Sequence, residues 1–223
     1  RRAKNALWAE IAEILDPSPD RMESPCAEFG RCGCVWSHFR YPAQAEWKQR
    51  IVREAMRRIA GIDTEVAWRE SAKLRLGYRT RAEFHGDGGR VGFHAPGTHE
   101  ITDAVCPVLH PKLGDALVKL REVGLKGSVT VTVNPDGDEV LVWTKFVKRK
   151  LKQYFPLAQS PVDERNRNQF RFDGVPIVNG TFSQSSLLLN RLLVETVREY
   201  LGTPPSVLDL YCGSGNFTVA LPE

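Results

Sequence analysis

Four cysteines constrain this chain more than any other feature. Cys26, Cys32 and Cys34 crowd one short loop, and Cys106 stands far downstream in Asp103-Ala104-Val105-Cys106-Pro107. Gly30 and Gly33 lie in the same loop and let its backbone bend tightly enough to aim several sulfurs at one point. The pattern has the form of a ligand set for one metal centre, whose fourth ligand pins two distant parts of the chain together. Two plainer readings compete with it: reduced, partly buried thiols, or the disulfides of a secreted protein. Residues Arg1 to Leu15 contain no continuous apolar run of the kind a signal peptide needs, and no stretch is apolar for long enough to cross a membrane. A cytoplasmic chain is therefore expected, and in a reducing compartment disulfides are disfavoured. Cys32 and Cys34 are also too close in sequence for a relaxed bridge. Spacing alone leaves zinc open beside a cluster.

With 223 residues, of which 42% are hydrophobic, the chain can bury a sizeable core in one large or two modest domains, and disorder is not expected. A net charge of +4 and a pI near 8.8 select no partner by themselves. The placement of the basic residues is more informative. Lys48, Arg50, Arg53, Arg57 and Arg58 decorate one predicted helix, Arg75, Arg79 and Arg81 recur along a predicted strand, and Lys145, Lys148, Arg149, Lys150 and Lys152 form a third group. Polyanion binding follows as an expectation. Glu46 and Glu54 intersperse the first group and suit ordinary surface pairs. Arg79 and Arg81 lie two apart, so an extended chain points both to one face, where a phosphate can be gripped twice. The third group also suits a mobile loop.

Residues Ala6 to Leu15 mix Leu7, Trp8, Ile11, Ile14 and Leu15 with small and charged residues and do not decide between helix and strand. After Tyr41-Pro42, Trp47, Ile51, Ala55 and Ile59 recur every four residues beside Val52 and Met56, which predicts an amphipathic helix ending at Gly61 with its stripe in the core. From Val66 to Gly92, β-branched and aromatic residues broken by Gly86-Asp87-Gly88-Gly89 predict two strands and a turn. Pro111 opens a helix with Leu113, Leu117 and Leu120 on one side, and Gly124 closes it. Val129 to Val133 and Val140 to Trp143 flank Asn134-Pro135-Asp136-Gly137-Asp138, a strand-turn-strand signal. Phe170 to Val178 reads as extended, and Ser185 to Leu201 as a long helix. Val207-Leu208-Asp209-Leu210-Tyr211 then reads as a buried strand running into Cys212-Gly213-Ser214-Gly215 and a helix start. Such a turn lets backbone approach a nucleotide-like ligand closely. It matches neither the P-loop nor the full dinucleotide fingerprint, so an ordinary strand-helix turn stays open.

In this order, Ser24-Pro25-Cys26 through Cys34, Tyr41-Pro42-Ala43-Gln44 with Trp47-Lys48, Tyr78-Arg79-Thr80-Arg81-Ala82, Gly92-Phe93, Thr98-His99-Glu100-Ile101, Cys106-Pro107, Phe182-Ser183-Gln184 and Asp209 through Thr218 resemble the RNA uracil-5-methyltransferase family. The likeness is to its iron-sulfur branch and covers nearly the whole chain. It implies an α+β central domain with an iron-sulfur loop, followed by the start of an α/β Rossmann-like class I methyltransferase domain. The implied plan is a remnant of a TRAM-like β-barrel and linker at 1–24, the cluster loop and helix at 25–61, the central RNA-binding domain at 62–175, and the beginning of the methyltransferase domain at 176–223. By the resemblance, Cys26, Cys32, Cys34 and Cys106 bind a structural [4Fe-4S] cluster. Gln184, Tyr211, Gly213 and Gly215 line the S-adenosylmethionine site, and Arg79 and Arg81 hold the RNA backbone. The partner implied is RNA, ribosomal in preference to transfer RNA, with no membrane association and a monomeric state.

The sequence departs from the family in two places. The family carries two residues between its second and third cysteines where this chain has Gly33 alone, so either the loop is altered or one residue is absent. The chain also stops shortly after the Gly-rich turn, which predicts an incomplete catalytic domain with exposed apolar strand faces. In the family a cysteine thiolate adds to carbon 6 of a flipped uracil, carbon 5 attacks the sulfonium methyl group, and a base removes the proton. Both catalytic groups belong to a later part of the family's sequence, so no catalytic residue is assigned here. Cys212 is read as pocket lining or packing. His99 lies in a matched stretch and reads as structural, and His38, His85, His94 and His110 lack paired metal spacing. The alternative function is a non-catalytic RNA-binding protein stabilised by zinc or a cluster. A radical enzyme is disfavoured, because Cys106 fills the position that an open iron requires.

Overall fold

The computed structural model describes residues 2, 3, 6, 7, 9 and 11–221. Trp8, named in the sequence reading, lies outside them. The chain divides into two compact units, Arg1–Pro25 with Cys34–Trp68, and Cys26–Gly33 with Arg69–Glu223. In the first unit, β1 (Arg2–Ala3) and β2 (Ala6–Leu7) pair antiparallel with each other, and residues 11–15, undecided in sequence, hold no regular structure. The backbone then folds back on itself, with Met22 N–H donating to His38 O at 2.8 Å and Arg40 N–H to Asp20 O at 2.8 Å.

Helix α1 (Tyr41–Ala55) begins at a Pro in its first turn, continues into a π turn at Met56–Ala60, and stops at Gly61, whose φ of 68° is left-handed. The expected core stripe is not buried. Only Ala43 of α1 is buried, while Trp47, Ile51 and Ile59 are 44%, 51% and 87% exposed. Among the described residues of this unit, other regular structure is limited to the two short strands and the π turn, so no apolar layer covers the stripe. A cation covers part of it instead: Arg50 stacks 4.9 Å from the Trp47 ring.

The second unit is built on a six-stranded mixed sheet of β3 (Arg81–Asp87), β4 (Val91–His94), β5 (Ile101–Thr102), β6 (Lys126–Val133), β7 (Val140–Thr144) and β8 (Ala158–Gln159), in the order β5-β4-β3-β6-β7-β8. Neighbours are antiparallel except β7 and β8. The Gly-rich signal at 86–89 makes the β3–β4 turn, where the Asp87 carboxylate accepts from Gly89 and Arg90 N–H at 2.8 and 2.7 Å. Strand structure does not reach back to Val66: residues 72–74 form a 3-10 turn, and Gly77 at φ 64° breaks extension. Arg75 therefore lies off the strand, paired with Glu70.

Helix α2 (Pro111–Val123), closed by left-handed Gly124, follows its sequence signals and covers one sheet face. Leu113, Leu117 and Leu120 pack there in one core with Phe84, Val91, Val129, Val131 and Val142. Alternation along β3 and β6 puts these on one side, with Phe84 opposite Val129 and Ala82 opposite Val131. The segment read only as extended is a hairpin, β9 (Gln169–Phe172) and β10 (Val175–Val178), turning at left-handed Asp173 and Gly174. A short α3 (Arg149–Tyr154) precedes it, and α4 (Leu187–Leu201) follows. Phe170, Phe172, Val175 and Ile177 of the hairpin join Leu141 and Leu187 in a second core. No helix among the described residues is long and apolar enough to cross a membrane.

Two glycines give opposite expectations. A Cβ at Gly92 meets the Thr102 carbonyl oxygen at 1.7 Å, so Gly92→Ala must push β5 off β4 and lower stability by about 1–3 kcal/mol. A Cβ at Gly114 in α2 makes ordinary contact with Val105 at 3.7 Å, so Gly114→Ala raises stability by about 0.5–1 kcal/mol through helix propensity. Urea denaturation midpoints check both signs.

Candidate functional site

Within the second unit, Arg31 of the cysteine loop pairs with Glu28 in the loop and with Glu100 beside β5. The turns of the loop close through Phe29 N–H to Cys26 O at 3.0 Å and Arg31 N–H to Glu28 O at 2.9 Å. This brings the Cys26 and Cys32 sulfurs to 3.9 Å. Burial pushes the Cys26 thiol up to about 11, and the neighbouring sulfurs of Cys32 and Cys106 push the same way, so Cys106 acts on Cys26 across the intervening sequence. Cys34 belongs to the other unit. Burial opposes its ionisation, but hydrogen bonds from the Ser37 hydroxyl and the Trp36 and Ser37 backbone, with the Lys48 charge, outweigh it and lower its pKa. Among the described residues, no group of three or more His, Cys, Asp or Glu side chains has the arrangement that would hold a metal ion.

The expected cofactor residues are reached through Thr80, a completely buried polar side chain. Its N–H donates to Ser185 O at 2.9 Å, its carbonyl accepts from Val133 N–H at 2.9 Å, and its hydroxyl accepts from Leu187 N–H at 3.0 Å. That last donor is one of the orphan N–H groups at the start of α4. Ser186 caps the same helix by accepting from Leu189 N–H at 3.0 Å. Half-buried Gln184 is thereby fixed between the sheet and the helix. Nothing in the sequence marks Thr80 beyond its place in the Tyr-Arg-Thr-Arg-Ala stretch.

Val207 to Tyr211 is not the buried strand its sequence suggests. No described strand pairs with it, and Leu208, Leu210 and Tyr211 are 80%, 69% and 103% exposed. A parallel strand needs neighbours on both sides, and the second unit supplies none there. Cys212 is likewise exposed rather than packed. The turn is nevertheless formed: Tyr211, Gly213 and Gly215 all have left-handed φ, and Gly215 N–H donates to Cys212 O at 2.9 Å. Tyr211 takes this conformation despite its side chain, which costs of order 1–2 kcal/mol. Asn216 and Asn190 exchange amide hydrogen bonds at 2.8 and 3.0 Å and tie the turn to α4.

Arg79 and Arg81 do share one side of the chain, opposite buried Thr80 and Ala82. Their environments differ. Arg81 donates to Thr181 O and the Ser183 hydroxyl, and burial lowers its pKa, so it braces the segment leading to Gln184. The Arg79 Nε is buried without a hydrogen-bond partner. In the basic group on α1 and its π turn, Arg57 pairs with Glu54, one of the interspersed acids, and Arg53 pairs with Asp63 and Glu65 beyond the helix. The β3–β4 hairpin also stacks His85 on His94 at 3.7 Å, with His99 edge-on to His94 at 5.3 Å, a cluster that spacing along the chain could not reveal.

The fold is shared with part of a solved structure. The Pyrococcus abyssi tRNA (uracil-54, C5)-methyltransferase, solved in complex with S-adenosyl-L-homocysteine, superimposes over 92% of this chain and 57% of its own, with a TM-score of 0.66 and 23% identity. No protein-family model matches the chain. Among curated relatives, an uncharacterized RNA methyltransferase of Streptomyces coelicolor is 32% identical over 97% of this chain and 55% of its own length. The 23S rRNA (uracil(1939)-C(5))-methyltransferase RlmD of Alkalilimnicola ehrlichii is 27% identical over 99% of this chain and 59% of its own. The chain belongs to the RNA uracil-5-methyltransferase family. It spans somewhat more than half the length of these relatives, and the matched region of 265 positions in the Alkalilimnicola protein exceeds the 223 residues here, so that relative carries residues this chain lacks.

Two outcomes test this geometry. Thr80→Val leaves the buried Leu187 N–H unpaired and should cost about 1–3 kcal/mol in urea denaturation. In the reduced, metal-free protein at mildly alkaline pH, iodoacetamide should modify Cys34 faster than Cys26, because the lowered pKa supplies more thiolate and the raised one less; mass spectrometry of the two peptides gives the rates.

Proposed function

We propose that this chain is the RNA-facing and cluster-bearing part of an S-adenosylmethionine-dependent enzyme that methylates carbon 5 of uracil in structured RNA, ribosomal in preference to transfer RNA. The observation that carries the proposal is the match of 95–100% of the chain to RNA methyltransferases, several of them named for a 23S rRNA uracil. The bound S-adenosyl-L-homocysteine of the Pyrococcus protein supports the cofactor. A cytoplasmic setting and a monomer accord with this reading.

S-adenosylmethionine, when bound, supplies an electrophilic methyl group on a positive sulfur. This chain's part is to position it. Gln184, held through Thr80 and Arg81, offers an amide to the cofactor, and the left-handed turn at Gly213 and Gly215 presents backbone without side chains in the way. Arg79 keeps guanidinium donors for an RNA phosphate, whereas Arg81 serves RNA only after it has served the Gln184 segment.

Cys26, Cys32, Cys34 and Cys106 are assigned to a structural [4Fe-4S] cluster. The thiol donors and the electrostatic reach from Cys106 to Cys26 support it. Zinc is the second reading, favoured by one distance: the 3.9 Å between the Cys26 and Cys32 sulfurs is near the edge of about 3.8 Å that a tetrahedron with Zn–S bonds of about 2.3 Å requires. Anaerobically purified protein should carry iron and acid-labile sulfide in equal amounts, and Cys106→Ser should lose most of both. Zinc without sulfide establishes the second reading. The chain should bind uracil-containing RNA without transferring label from methyl-labelled cofactor, since none of its residues is assigned as nucleophile or base. Label incorporated into uracil would place the catalytic groups within these 223 residues.

A further inference from the structure

The third basic group runs from the connection after β7 into α3. Lys145 to Lys148 leave β7 and lead directly into α3, whose Leu151 is buried. The Lys150 and Lys152 ammonium groups donate to Glu122 O at 2.6 Å and Ala158 O at 2.8 Å, which rivets α3 to its neighbours. Lys145, Lys148 and Arg149 are exposed, and among the described residues no carboxylate forms an ion pair with any of the five. Asp163 lies nearby, but its carboxylate is committed to the Ser160 N–H and hydroxyl at 2.9 and 3.3 Å.

Beside these cations is exposed apolar surface. Phe146 is 72% exposed and Val162 92%, and with Lys148, Arg149 and Lys152 they line an open groove of about 580 Å³. That volume suits a ligand of nucleotide size. The Lys145 ammonium lies 5.5 Å from the Phe146 ring, most of whose surface is exposed. An exposed aromatic ring flanked by cations without ion-pair partners is the combination that holds single-stranded nucleic acid, cations on phosphates and ring against base.

We propose that the Phe146, Lys148 and Arg149 groove is a second RNA contact, which stacks one unpaired base on Phe146 and neutralises the adjoining phosphates. It rests on the RNA reading above but uses residues that reading does not assign. The occupant is a single strand, because a duplex keeps its base faces stacked internally.

The test titrates the chain with a fluorescent single-stranded oligouridylate over a range of salt concentrations. Phe146→Ala should weaken binding about 5- to 150-fold, the equivalent of about 1–3 kcal/mol of base stacking, with the salt slope unchanged. Phe146→Trp should keep or restore affinity. Lys148→Gln and Arg149→Gln should each lower the slope of log affinity against log salt by about 0.7, the value for one phosphate contact on a single strand. All three positions changed are surface positions, and circular dichroism should show the native fold of each variant. Wild-type binding with no effect of any variant overturns the groove and leaves the RNA reading intact, whereas no binding by wild type defeats both. Equal loss on duplex RNA overturns base stacking. Phosphatidylserine vesicles bound in a Phe146-dependent way, with oligouridylate binding unaffected, would make the groove a membrane contact and overturn the proposal.

Discussion

Thr80 joins three layers of the second unit with one buried residue. Its two backbone groups tie β6 to the segment before α4, and its hydroxyl satisfies a helix-start N–H that has no partner within α4. Each bond contributes only about 1 kcal/mol net, but each leaves a buried group unsatisfied if lost, so the junction is stiffer than its bond count suggests. Arg81, the next residue, closes the same joint from its other side through Thr181 and Ser183. The Gln184 segment therefore has a defined position relative to the sheet. A cofactor held by that segment would share the position.

At the Gly-rich turn the constraint is different. The turn is fixed by the Asn190–Asn216 amide exchange and by the Asp209 carboxylate accepting from the Thr218 hydroxyl at 2.6 Å, all local to the end of the second unit. Arg191 adds a link from α4 to the β6–β7 and β9–β10 turns through Asp136 and Asp173, and its guanidinium lies 4.5 Å from the Phe172 ring. The preceding segment pairs with no described strand, and its Leu208 and Leu210 face solvent. Turn geometry is a property of a few residues and survives without a sheet, while a parallel strand is a property of its neighbours.

The basic residues divide by the same principle. A count along the sequence treats Arg53, Arg57, Arg81 and Arg149 alike. Their environments do not: the first two face carboxylates, the third is half-buried against backbone oxygens, and the fourth stands exposed beside an aromatic ring. Charge contributes to binding a polyanion only where it is not already spent within the protein.

Local rules made much of the second unit legible before any coordinates. Pro111 and Gly124 bound α2 because proline tolerates a helix's first turn and glycine tolerates its left-handed end. The Asn134 to Asp138 turn and its valine-rich flanks gave β6 and β7, and the ordered motif stretches gave the family. Periodicity failed at α1, since an apolar stripe records a preference for burial and cannot say whether the surrounding unit supplies a cover. The cysteine spacing proposed a meeting of Cys26, Cys32, Cys34 and Cys106; in the fold Cys26 lies within electrostatic reach of Cys32 and Cys106, while Cys34 belongs to the other unit. What the sequence determined by itself was the set of local conformations and chemical groups; tertiary structure alone decided which groups face each other, as in the Thr80 joint and the histidine stack, because contacts across strands depend on register and not on separation along the chain.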